Sequence, residues 1–116
     1  GDIKKLTKEE KNLAKDAKNY MDRMYSRDIR IQDVAGILHV HPNYLSTLFR
    51  REYDQSPREY LRKVRMNQAK LLLATTEYSI SDISSDVGYT NPFQFSKVFK
   101  SCYGISPTEY RNMRQV

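Results

Sequence analysis

The chain has 116 residues, a formal charge of +6 and a pI near 9.5. That length suits one domain or two very small ones, and the basic balance points either to an anionic partner or to no more than a basic surface. No run of ~18 apolar residues is present, which excludes a membrane-spanning helix; the N-terminus GDIKKLTKEEK lacks a secretory apolar core, and a single cysteine excludes an internal disulfide.

In chain order, Thr7 with Glu10 three residues on forms a capping box. It opens a helix to about Tyr25, in which Leu13, Ala17, Tyr20, Met21 and Met24 recur at helical spacing. Residues 26–30 are a polar link and 31–38 a first supporting helix. Residues 39–41 turn, and 42–53 form a first reader helix begun by Pro42, which suits a first helical turn. Residues 54–56 break it. Pro57 then starts a long helix to about Leu73, with apolar positions at Tyr60, Leu61, Val64, Met66, Ala69, Leu71, Leu72 and Leu73. Its charged positions include Arg58, Arg62, Lys63, Arg65 and Lys70. After a loop at 75–78, Ser79 with Asp82 caps a second supporting helix over 80–87. Gly88 ends it. A second reader helix spans 92–103, Gly104 stops it, and Pro107 begins a last helix to about Met113. The expected fold is therefore all-α, with seven helices.

Two stretches repeat. Residues 43–60 read NYLSTLFRREYDQSPREY and residues 93–110 read FQFSKVFKSCYGISPTEY. Ser46, Phe49, Tyr53, Ser56, Pro57, Glu59 and Tyr60 recur as Ser96, Phe99, Tyr103, Ser106, Pro107, Glu109 and Tyr110. A repeat that keeps apolar positions and a Ser-Pro break signals two copies of one supersecondary unit. Two short helices joined by a tight turn are a helix-turn-helix, so the chain divides into 1–56, a connecting helix at 57–74, and 75–116. A ~17-residue connecting helix is roughly 25 Å long. Together with the width of the flanking units, it places the reader helices about one DNA turn apart, ~34 Å.

At 100° per residue, Leu45, Leu48, Phe49 and Tyr53 share one side of the first reader helix, and Asn43, Ser46, Thr47 and Arg50 the other. In the second, Phe95, Val98, Phe99, Cys102 and Tyr103 oppose Phe93, Ser96, Lys97 and Lys100. Short, polar, basic outward faces fit a DNA groove. Asn43, Ser46 and Thr47 are candidate base readers, since Asn matches adenine bidentately and Thr offers a methyl and a hydroxyl. Lys97 suits guanine or a phosphate. Phe93 either packs on a thymine methyl or turns into the core. Arg50, Arg51 and Lys100, later on the helices, fit phosphates. So do backbone N–H groups near Gln32 and Ser81. His41 caps the first reader helix or touches a phosphate. Tyr53, Tyr60, Tyr103 and Tyr110 are expected at or near the core. Cys102 is expected buried and inert. His39, His41 and one cysteine are too few for a zinc site, so no metal or cofactor is expected.

The stretch ISDISSDVGY at 80–89, then FSKVFK at 95–100 and GISPTEYR at 104–111, resembles the signature of AraC/XylS-family transcriptional regulators in their C-terminal DNA-binding domain. NYLSTLFR at 43–50 is similar to that family's first reader helix. The match runs from about Ile31 to Arg111, with residues 2–30 as the first helix and its lead-in. The resemblance implies a bacterial transcription factor, often an activator of sugar, stress or virulence genes, located in the cytoplasm on the nucleoid. It implies double-stranded DNA and RNA polymerase as partners. An N-terminal ligand-binding or dimerisation domain is also expected, because the chain begins at Gly1 without an initiating Met. Phe93 and Gln94 depart from the family pattern, which has small polar and aromatic residues there.

Two other classes fit the sequence less well. A helical protein-interaction module with a basic face for an acidic partner would expose a larger apolar stripe. An enzyme would need a phosphate loop, a paired acid/base set or a nucleophile motif, and none is written here.

Overall fold

A computed structural model describes residues 5–114, and the lead-in at residues 1–4 lies outside them. Among the described residues the chain forms seven helices and no strand: α1 (Lys8–Met24), α2 (Ile31–Ile37), α3 (Pro42–Tyr53), α4 (Pro57–Thr75), α5 (Ile80–Asp86), α6 (Pro92–Tyr103) and α7 (Pro107–Met113). They fall into two compact units. Among the described residues, one comprises residues 5–24 and 29–62, the other residues 25–28 and 63–114.

In the first unit, α1 contributes Ala14, Ala17 and Met21 to the core, α2 Val34 and Ala35, α3 Leu45, Leu48 and Phe49, and α4 Leu61. The alanines let α1 approach its neighbours closely. In the second unit, Met66, Ala69 and Leu73 of α4, Ile83 and Val87 at α5, and Phe95 and Phe99 of α6 are buried together, with Tyr89, Tyr103 and Tyr110 packed on them. Burying each large side chain contributes ~1.5–3 kcal/mol, so each unit depends on a handful of them.

The helix starts are the ones the capping residues specify. Thr7 and Glu10 exchange side chain-to-backbone hydrogen bonds of 2.8 and 3.1 Å. Ser56, Ser79 and Ser106 accept from the backbone N–H of Glu59, Asp82 and Glu109. The ends differ slightly from expectation. The helices α2 and α5 stop one residue earlier, at Ile37 and Asp86, and α4 runs on to Thr75. The extra turn of α4 is held by its carbonyls. Thr75 and Thr76 hydroxyls donate to Leu71 and Leu72 at 2.7 Å. Arg111 donates to the Leu73 and Thr76 carbonyls, which closes a helix end that backbone bonds alone leave open.

The two copies differ at their left-handed positions. The second uses Gly88 (φ 101°) and Gly104 (φ 81°), whereas the first uses His39 (φ 60°) and Asp54 (φ 62°). A side chain in this region costs ~1 kcal/mol that glycine avoids. Asp54→Gly, at the C-cap of α3, should therefore raise the melting temperature by about 4 °C. An unchanged or lower melting temperature in a thermal scan would show that Asp54 carries no such penalty.

Candidate nucleic-acid interface

Each of the two helices that carry the repeat, α3 and α6, is pinned at its start by a side-chain cap followed by proline. His41 Nδ1 accepts the Asn43 N–H at 3.1 Å. An accepting Nδ1 puts the ring proton on Nε2, leaving that N–H as a donor. Asn91 Oδ1 accepts the N–H groups of Phe93 at 2.9 Å and Gln94 at 3.3 Å. These caps fix the direction of the first turn, the part of a reader helix that meets base edges.

Burial separates the two faces of each helix. Leu45, Leu48, Phe49, Phe95 and Phe99 are buried. Asn43, Thr47, Arg50 and Arg51 are exposed on α3, as are Lys97 and Lys100 on α6, while Ser46 and Ser96 are half-buried. Phe93 is 85% exposed, so it does not turn into the core. It lies about 200° around the helix from Phe95, and no rotation buries both. Thr47 Oγ1 donates to the Asn43 carbonyl at 3.0 Å. Its proton is spent within the helix, and its methyl is the group left to present.

The aromatic support is the same in both copies. The Phe49 ring lies 4.7 Å from Tyr53 and 5.6 Å from Tyr60, and Phe99 lies 4.7 Å from Tyr103 and 5.7 Å from Tyr110. All four tyrosines are half-buried. Burial pushes the phenols of Tyr53, Tyr60 and Tyr103 above their ordinary value. Tyr60 donates to the Asp22 carboxylate. Lys18 pairs with Asp22 at 3.3 Å, a bond that raises the lysine above its usual value.

In the first unit, Gln32 and Ser46 line an open cleft of 330 Å³ together with Ser56 and Arg58. Ser46 also borders a second cleft of 310 Å³ with Thr47, Arg50 and Arg51. Arg58 was legible only as a charged position on a long helix; its place beside Gln32 and Ser46 follows from three helix starts meeting. In the second unit, Ser81 is exposed and lines a 380 Å³ cleft with Ser84, Ser85, Thr90 and Asp28. That cleft does not include Lys97 or Lys100, so the second set is less gathered than the first.

Cys102 is exposed, against the expectation of burial. It sits in the last turn of α6, where nothing covers that side, and the charged Glu52 at the matching place in α3 was the available signal. Arg65 also differs from its reading as one more charge. Its Nε donates to the Tyr25 carbonyl at 2.9 Å and an NH2 group to the Arg27 carbonyl at 2.9 Å, with the guanidinium 5.4 Å from the Tyr89 ring centre. Burial pulls it below its ordinary value, opposed by Tyr89 and Asp28. Among the described residues no three of His, Cys, Asp or Glu are placed to hold a metal, and no helix is long and apolar enough to cross a membrane.

The helix-turn-helix domain family matches residues 34–113. The C-terminal domain of AraT, a response regulator from Geobacillus stearothermophilus, superposes with a TM-score of 0.87 at 34% identity, covering 97% of this chain and 91% of that one. The raffinose operon transcriptional regulatory protein RafR of Pediococcus pentosaceus is 38% identical over 94% of this chain, which spans 38% of that protein's length. The lactose operon transcription activator of Staphylococcus xylosus is 40% identical over 83% of the chain, which spans 34% of its length. With two capped helices of one pattern, each polar and basic on its outer face, the chain belongs to the AraC/XylS family of transcriptional regulators as an AraC-type helix-turn-helix DNA-binding domain.

Proposed function

We propose that the chain binds double-stranded DNA sequence-specifically, setting α3 and α6 in successive major-groove segments, and that it acts as an activator of bacterial transcription. The observation that carries this reading is the repeated outer face. In both helices the residues facing away from the core are mostly polar or basic, with Tyr44, Phe93 and Cys102 as the exceptions, and no carboxylate precedes Glu52 in α3 or occurs in α6. Asn43, Ser46 and Thr47 read bases from α3, and Phe93 and Lys97 from α6. Gln32, His41, Arg50, Arg51, Ser81 and Lys100 hold phosphates, and Arg58 joins them through its place in the Gln32 cleft.

Relatives that regulate raffinose and lactose operons support carbohydrate-utilisation genes as targets, and the second supports activation. Because the chain spans little more than a third of either, a ligand-binding or dimerising domain is assigned to the rest of a longer protein. RNA polymerase is the partner of an activator, and the nucleoid in the cytoplasm its location.

Selection from a random duplex pool at ~150 mM salt tests the reading, because weak salt rewards mere charge. Enrichment of a non-palindromic site with two short blocks about one turn apart is the expected result. Binding without enrichment would refute sequence reading, and no binding would shift the assignment to a protein partner of acidic character. Arg50→Ala should weaken binding to all sequences and lower the salt slope by about one. An unchanged slope removes Arg50 from the phosphate set.

A further inference from the structure

We propose that Phe93 reads the C5-methyl group of a pyrimidine in the half-site met by α6. This rests on the DNA-binding reading above and adds the chemistry of one contact.

At 85% exposure, Phe93 is the most exposed large apolar side chain among the described residues. Its backbone is held all the same, by the Asn91 cap at 2.9 Å and by Pro92. Among the described residues no ring lies against it; the aromatic contacts of α6 belong to Phe95, Phe99 and Tyr103. The core is complete without it. With its backbone fixed by the cap and its side chain exposed on the outer face of α6, the ring is placed to meet a ligand rather than the core.

Its surroundings select the occupant. Lys97 follows one turn later on the same face, and Lys100 is also exposed. The partner must offer a small apolar spot flanked by negative charge. In the major groove, the thymine C5-methyl is the apolar group on the base edges, and phosphates line both rims. Asn43 holds the matching place in α3, where it has donors and an acceptor instead.

The test uses the selected duplex, remade with each thymine replaced in turn by uracil, which pairs identically and lacks only the methyl. With the 116-residue chain, one replacement in the half-site met by α6 should weaken binding about four-fold, the weight of one buried methyl. Phe93→Ala should bind the thymine and uracil duplexes alike and keep the wild-type salt slope. Phe93→Leu should retain part of the preference. At the sensitive position, 5-methylcytosine should be preferred to cytosine by a similar factor. Indifference of the wild-type chain to every uracil, alongside specific binding, overturns the role of Phe93 and leaves DNA reading intact. A thymine preference that survives Phe93→Ala also overturns it, by assigning the methyl to another side chain. Failure to select any sequence overturns both readings.

Discussion

Gly88→Ala should strongly destabilise the second unit, whereas alanine at two other glycines should not. At Gly88 the backbone has φ 101°, and a Cβ there would fall deep inside the Tyr25 carbonyl oxygen and 2.8 Å from Arg65 Nε. The conformation alone costs a side chain on the order of 1–3 kcal/mol. The overlap is with backbone, which cannot swing away, and relieving it breaks the Arg65 bonds to Tyr25 and Arg27, each contributing ~1 kcal/mol. A loss of about 3–5 kcal/mol is expected, against a typical total of ~5–15. The melting temperature should fall by at least ~10 °C. Gly104→Ala, with φ 81° but nothing within 4 Å, should cost only ~1 kcal/mol. Gly36→Ala, helical and open, should stabilise by roughly 0.5–1 kcal/mol. Thermal unfolding of the three variants checks the order, and a Gly88→Ala drop no larger than that of Gly104→Ala would remove the clash from the account. The functional consequence is local. Gly88 lies in the turn between α5 and α6, so the same variant should bind DNA poorly even where it remains folded.

The second large effect is on discrimination. Asn43→Ala combined with Thr47→Ala should reduce the ratio of specific to random-DNA affinity by about 10–100-fold, since one good bidentate base contact is worth ~1–3 kcal/mol. Affinity for random duplex should barely change, because phosphate contacts supply that term. Both side chains are exposed, so the fold should be unaffected. Because the Thr47 hydroxyl already donates to the Asn43 carbonyl, Thr47→Val, which keeps a methyl, should be close to neutral. Parallel binding isotherms on the selected and scrambled duplexes decide it; equal weakening on both would show that these residues do not read bases.

By itself, the sequence determined the elements and their faces. Local rules set them: Thr7 with Glu10, Ser79 with Asp82 and the four Pro starts fix where helices begin, and spacing at 100° per residue separates Phe49 and Phe99 from Arg50 and Lys100. The repeat added the helix-turn-helix division, because two copies constrain each other's reading. What only the tertiary structure decided involves partners far apart in the chain or helix ends where periodicity stops applying. Arg65 bonds a carbonyl forty residues earlier, and Arg111 closes the end of α4 from thirty-eight residues later; no spacing rule links such pairs. Cys102 is exposed because a helix's last turn can outrun the element that packs on it. Phe93 is exposed because Phe95 and Phe99 already fill the core. Periodicity names the side of a helix a residue occupies, and packing against other elements decides whether that side is covered.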